Sequence, residues 1–314
     1  MEQKTFLQDF IDSLISSIKR ETRFDEFLKV DTIINRLKNE EINVLIVGET
    51  GVGKSSTISA LFGGSLIDKI DCGQKPMTME IEKYSLGNLI IWDTPGLGDN
   101  TEKDEIHAEK IEKLLKQKNT KGEFLIDVVL VIVNASNRAM DSTFKIIKNV
   151  VRPNMKDENI VIGVNKIDLA LDNYWDRINN CPVQEPKVLN YLEEKIILPI
   201  NKRIKEEIGI NLNPVYYTAG SMDIFERRQK PGYNLKKLFS IILKATPLKK
   251  RLGYTEKLNK EENVWKANDS ERNYGEEIKN TLLEALCAYL IKEFPIVVNK
   301  LLSAGKKLIS FLFK

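Results

Sequence analysis

Two stretches limit the fold more than any others: "VVLVIV" at 128–133 and "IVIGV" at 160–164, neither of which holds a polar side chain. A strand with one wet face alternates apolar and polar residues, whereas a strand that is apolar throughout must be covered on both faces. Helices on both sides of a mostly parallel sheet provide that cover. The rest of 42–245 fits the pattern, with strands expected near 42–47, 80–86, 88–93, 125–133, 159–164 and 213–217. Helices are expected near 53–62, 102–118, 140–150, 186–207 and 234–245. The reading is a doubly wound α/β domain over 41–246, with an N-terminal helical segment at 1–40. Residues 247–274 are polar and aperiodic and read as a linker or exposed loop, and 275–314 read as amphipathic helices.

A chain of 314 residues holds one such core and an accessory region. Its net charge of +3 gives no electrostatic footprint for nucleic acid, and no specific DNA binding is expected. Cys72, Cys181 and Cys287 form no CxxC pair, and His107 is the single histidine, so a reducing, cytoplasmic setting is expected. The start "MEQKTFLQDF" lacks a signal pattern. The longest apolar runs have six residues where a spanning helix needs ~20, so no transmembrane segment is expected.

"INVLIVGETGVGKSS" at 42–56 reads as a strand, a glycine loop and a helix start. Gly48, Gly53, Lys54 and Ser55 fit the phosphate-loop spacing, in which backbone N–H groups and the helix N-terminus hold negative charge. Gly51 and Gly53 let the main chain approach the phosphates, and Val52 and Ser56 complete the cradle. In this pattern Lys54 reaches the β- and γ-phosphates and Ser55 ligates Mg²⁺.

The loop alone leaves ATPases, kinases and GTPases open. "VNKID" at 164–168 narrows the choice. The Asp168 carboxylate accepts from N1–H and the 2-amino group of guanine, a donor pair that adenine lacks, and an unpaired buried carboxylate is costly. Asn165 belongs to the same element, and Lys166 lays its stem along the base. "NPVYYTAGS" at 213–221 adds a strand running into Thr218, Ala219 and Gly220, where the Ala219 N–H faces guanine O6. "NLIIWDTPGLGD" at 88–99 ends a strand in DxxG: Asp93 is placed to hold Mg²⁺ through water, and Gly96 to donate its N–H to the γ-phosphate. Thr78, in "CGQKPMT", is the candidate threonine that docks on Mg²⁺ when the γ-phosphate is present.

Taken in order, Gly48–Ser55, Thr78, Asp93–Gly96, Asn165–Asp168 and Thr218–Gly220 resemble the signature boxes of the translation-factor-related GTPases. "GETGVGKSS", "WDTPGLGD" and "NRAMD" look most like bacterial and prophage-encoded GTPases described as Era-like or ribosome-binding. "DTPGL" is shared with the septin and AIG1/Toc group. The resemblance implies GTP and GDP as ligands, Mg²⁺ as cofactor, and hydrolysis of GTP to GDP and phosphate as a conformational or assembly switch. A structural or membrane-associated protein of septin or dynamin kind is the alternative.

The resemblance also exposes departures. Where Ras-like relatives lead from the DxxG glycine to a water-orienting glutamine, this chain has Leu97, which implies slow intrinsic hydrolysis without a helper. Gly51 replaces the asparagine that binds potassium in some relatives. Arg138 occupies the region from which an arginine acts across paired G domains in the AIG1/Toc group, and is the candidate for charge neutralisation in trans. The simpler role for Arg138 is pairing with Asp141. His107 reads as part of a solvated helix face, and Tyr174 with Trp175 as packing or as a guard of the pocket.

At the ends, Phe6, Leu7, Phe10, Ile11, Leu14, Ile15 and Ile18 form one stripe, and Phe24, Phe27, Leu28, Ile33, Ile34 and Leu37 another. Val298, Leu301, Leu302, Leu308, Ile309 and Leu312 form a third, flanked by Lys300, Lys306, Lys307 and Lys314. Such a basic amphipathic helix lies on an anionic membrane or packs on the N-terminal pair; the second arrangement, favoured here, resembles the immunity-related GTPases in architecture.

Overall fold

The computed structural model describes residues 4–63, 81–97, 101–136, 140–209, 212–220, 222–223, 228–229, 231–291, 294–299 and 302. The chain opens with helices α1 (Phe6–Glu21) and α2 (Phe24–Lys38). The α/β alternation then begins with β1 (Ile42–Val47), α3 (Lys54–Phe62), β2 (Glu82–Leu86), β3 (Leu89–Asp93) and α4 (Thr101–Leu115). It continues through β4 (Val128–Asn134), α5 (Asp141–Ile146), β5 (Ile160–Asn165), a short hairpin of β6 (Trp175–Asp176) and β7 (Cys181–Pro182), and β8 (Val215–Tyr216).

Among the described residues the main sheet runs β2-β3-β1-β4-β5-β8, with β2 antiparallel to β3 and every other pairing parallel. The doubly wound expectation holds, and the reason lies in the alternation of faces. Val44 and Ile46 of β1 point into one core with α3 and the Leu235–Ala245 helix. Leu45 and Val47 point into the other with Ile111 and Leu115 of α4 and Phe144 of α5. Both faces are dry, so the strands carry no polar alternation. His107 belongs to the second layer's helix and is buried, which corrects the solvated-face reading.

The terminal helices add a further layer to the first face. Leu7, Phe10, Ile11, Leu14 and Ile18 of α1 share a core with Ile278, Leu282, Leu286 and Leu290 of the Tyr274–Leu290 helix, and with buried Val297 and Val298. Thr5 caps α1 by accepting from Gln8 N at 3.1 Å, and its hydroxyl donates to Thr255 O at 2.6 Å. Most of the third stripe, from Leu308 onward, lies outside the described residues, as do Leu301 and the lysines that flank it.

Residues 247–274 are not an exposed linker. Leu252, Tyr254, Leu258, Val264 and Trp265 are buried, and Tyr254 meets Phe62 and Phe239 at ring-centroid distances of 6.3 and 5.4 Å. Trp265 packs edge-on against Phe6 at 5.8 Å. These apolar residues sit in 3₁₀ turns and irregular chain, so they follow neither a two-residue nor a 3.6-residue period. The segment is also held by charge: Lys250 Nζ lies 2.8 Å from Asp127, both side chains are 6% exposed, and Asp127 accepts from Asn43 N at 2.8 Å. Burial pushes the Asp127 carboxyl up, and Lys250 pulls it back. Asn88 Nδ2 donates to Glu40 O at 2.9 Å and to Gly253 O at 3.2 Å, fixing the same edge.

Candidate functional site

The loops after β1, β3, β5 and β8 meet at the carboxyl ends of the parallel strands, where open α/β sheets place their ligands. The loop after β1 brings Gly48, Gly51, Val52 and Gly53 to the start of α3, whose first residues are Lys54, Ser55 and Ser56. Gly53 has φ 96°, a left-handed conformation that favours glycine, and a Cβ there would press into the Asn165 amide. Lys54 turns back over the loop, donating to Gly48 O at 3.0 Å and Glu49 O at 3.2 Å. The two carbonyls hold its ammonium over the glycine loop.

Asn165 ends β5 and is 2% exposed. Its Nδ2 donates to Val52 O at 2.9 Å, while its Oδ1 accepts from Lys166 N at 2.8 Å and Ala219 N at 3.0 Å. One side chain therefore joins the phosphate loop, the NKID element and the loop after β8. Lys166 adds a second link, with Nζ 2.6 Å from Gly51 O and a left-handed φ of 65°. A non-glycine residue held there signals a conformation set by its surroundings.

These links wall a cleft of about 510 Å³, lined by Gly53, Ser56, Lys166, Asp168, Thr218 and Gly220, with Trp175, Arg177 and Pro231 at its far end. Asp168 Oδ1 is buried and has no hydrogen-bond partner among the described residues. A buried acceptor without a donor fits a ligand that brings one, as the N1–H and amino edge of guanine does. Of the far wall, only Trp175 reads from the sequence as touching the pocket, as packing or as a guard. The wall is the β6–β7 hairpin, fastened by Asn180 Nδ2 to Pro231 O and Gly232 O, each at 2.8 Å, and by Trp175 packed edge-on to Tyr233 at 5.5 Å. The polar turn "DRINN" marks the hairpin locally in the sequence, and in the structure its Asn180 takes a left-handed φ of 52°. Trp175 thus lines the cleft and packs, while Tyr174 is 48% exposed and meets Tyr191 with the rings tilted at 48°.

Asp93 closes β3, and Thr94 behind it donates to Ile46 O at 2.9 Å. Asp93 Oδ1 is buried without a partner among the described residues, and burial pushes its carboxyl up to about 6, with Lys54 pulling the other way. A buried carboxylate oxygen without a partner among the described residues is the kind of hard oxygen donor that suits a divalent cation such as Mg²⁺, and the Ser55 hydroxyl at the start of α3 is of the same kind. Gly96 packs so closely on Thr50 that a Cβ would overlap it. Leu97 N donates to Gly48 O at 3.3 Å, Leu97 O accepts from Thr50 N at 3.2 Å, and the Leu97 side chain is 1% exposed. Its side chain is in the core and does not reach water. Thr78 and Arg138 lie outside the described residues. Asp141, the expected partner of Arg138, pairs with Arg203 at 2.7 Å.

Residues 43–166 match the model of a family described as 50S ribosome-binding GTPase. The probable GTP-binding protein EngB of Methanococcus aeolicus is 30% identical over 186 residues, which cover 54% of this chain and 77% of that protein. The chain belongs to the P-loop GTPases. Its enzyme class is accordingly that of a GTP hydrolase. The mouse interferon-gamma-inducible GTPase 10 is 32% identical to this GTPase over 121 residues, 36% of this chain but 28% of the mouse protein. A solved bacterial dynamin GTPase, LeoA from ETEC, aligns with 94% of this chain and 49% of its own at 15% identity and a TM-score of 0.45. This GTPase therefore spans less than a third of the mouse relative and about half of LeoA. Among the described residues, no helix is long and apolar enough to cross a membrane.

Proposed function

We propose that this chain is a Mg²⁺-dependent switch of the Era-like kind that binds GTP and hydrolyses it to GDP and phosphate. The observation that supports it most is the Asn165 junction, which ties the phosphate loop to the element carrying Asp168, whose buried Oδ1 has no partner among the described residues, so that one ligand can reach both. In this reading the 41–246 unit is the G domain. The N–H groups of Gly51, Val52, Gly53, Lys54 and Ser55 receive the phosphates, with Gly48 and Ser56 bounding the cradle. Asn165, Lys166, Asp168, Thr218 and Gly220 bound the base pocket, while the Ala219 N–H, expected at guanine O6, is held by Asn165 Oδ1 in this structure. Ser55, Thr78 and Asp93 would hold Mg²⁺, whose bound form supplies charge neutralisation at the β- and γ-phosphates.

Gly96 presents its N–H to the γ-phosphate, and the segment carrying Thr78 reports that phosphate's presence. The buried Leu97 side chain leaves the attacking water without a polar guide from that position. Help from a second copy, with Arg138 acting across a G-domain pair, is the source we favour. Side chains beside the base cleft suit such pairing, since Leu169 is 59% and Ile178 96% exposed. Binding of fluorescent GDP and GTP in competition with ATP tests the ligand assignment, and equal competition by ATP would remove it.

A second reading, in which nucleotide controls assembly or membrane attachment in septin or dynamin fashion, draws on the same exposed apolar residues. Co-sedimentation with anionic liposomes in GTP and in GDP separates the two, because a pure switch does not pellet with either. The packing of Val297 and Val298 into the terminal helical layer favours a role for that layer as the moving part.

A further inference from the structure

Tyr217 leaves β8 one residue before Thr218 and is completely buried. Its hydroxyl lies 2.8 Å from the Thr57 hydroxyl on α3. Thr57 Oγ1 is also 2.8 Å from Gly53 O, the carbonyl at the helix start, which Thr57 N approaches at 2.9 Å. A carbonyl oxygen only accepts, so the Thr57 proton is committed to Gly53 O. The Tyr217 proton must then be the one donated to Thr57 Oγ1. Burial raises the Tyr217 phenol well above its usual range, so it stays protonated and able to donate. The result is a one-way relay, Tyr217 O–H to Thr57 O–H to Gly53 C=O.

The relay acts on the peptide unit that matters at a phosphate site. With its oxygen held from below by two donors, the Gly53–Lys54 peptide is fixed in plane, and its N–H projects the opposite way, out of the helix N-terminus. Hydrogen bonds in series also polarise one another, which makes that N–H a better donor. Space for the tyrosine comes from β5: a Cβ on Gly163 would meet Tyr217 Cε1 at 2.8 Å. The three positions therefore work as a set, and the link they make is separate from the Asn165 junction.

We propose that Tyr217 is a positioning residue of the phosphate site, acting through Thr57 to hold the Gly53–Lys54 peptide N–H toward the nucleotide phosphates. The proposal rests on the GTP-binding reading and adds a determinant on the base-loop strand. The test compares wild type with Tyr217→Phe, Thr57→Val, the double variant and Thr57→Ser, using fluorescent GDP titration and ³¹P NMR of bound GDP with Mg²⁺. Tyr217→Phe keeps the ring and removes the donor; it is expected to weaken GDP about 3- to 10-fold and to shift the β-phosphate resonance. Thr57→Val is expected to do the same, the double variant no more than either single, and Thr57→Ser to match wild type.

Preference for GDP over ADP stays unchanged in every variant, because Asp168 is untouched. Tyr217→Phe binding within twofold of wild type, with an unmoved β-phosphate resonance, overturns the proposal. Losses that simply add in the double variant overturn it equally. Thr57→Val with Thr57→Ser decides the matter if Tyr217→Phe does not fold. Failure of the wild type itself to bind GDP would instead overturn the GTP-binding reading.

Discussion

Replacing Asn165 by Ala removes three hydrogen bonds at one stroke. They run to Val52 O, Lys166 N and Ala219 N at 2.8–3.0 Å from a side chain that is 2% exposed. Each such bond is worth about 1 kcal/mol net, so the unfolding free energy should fall by about 3 kcal/mol, within a range of roughly 1.5 to 4.5. The bonds to Val52 and Ala219 join opposite walls of the cleft, and their share, about 2 kcal/mol, should also appear as roughly 30-fold weaker GDP binding. Asn165→Asp should lose at least as much, because an oxygen then faces Val52 O where an N–H stood. Urea unfolding and fluorescent GDP titration read the two quantities. If Asn165→Ala lost less than about 0.5 kcal/mol and bound GDP within threefold, the junction would not be organising the site.

Four further outcomes follow from other contacts. Lys54→Ala should abolish tight GTP binding, measured by equilibrium dialysis, since its ammonium lies over the cradle. Asp168→Asn should lose the preference for GTP over ATP, because the orphaned acceptor becomes in part a donor; an unchanged preference in competition binding would mean the base is read elsewhere. Lys250→Met should cost about 3–5 kcal/mol by leaving Asp127 charged and unpaired. With the Asp127 carboxyl already pushed up by burial, its ionised form is the destabilising one, so the loss should shrink as pH falls and Asp127 takes a proton. Arg138→Ala should lower GTP turnover only at high protein concentration, and an equal loss at every concentration would rule out action across a pair.

The strands were legible because burial on both faces leaves an unmistakable apolar run, as in Val128–Val133. The phosphate and base loops were legible because their chemistry needs particular residues at fixed spacings. What escaped was structure built without a period. Tyr254 and Trp265 are core residues in turns, so their neighbours gave no rhythm to read. His107 looked exposed because Glu105, Glu109 and Lys110 surround it in sequence, yet Ile111 and Leu115 set the face it shares. The β6–β7 wall and the Tyr217–Thr57 relay depend on residues that are distant in sequence. Thr57 lies one turn into its helix, and that depth is what lets it reach Tyr217.

The most direct test of a Mg²⁺-dependent GTP switch is phosphate release by the purified chain from GTP and from ATP, with Mg²⁺ or with EDTA, over a range of protein concentrations. The account predicts release from GTP alone, only with Mg²⁺, at a rate per molecule that rises with concentration. Equal release from ATP, or none from GTP at any concentration, would contradict it.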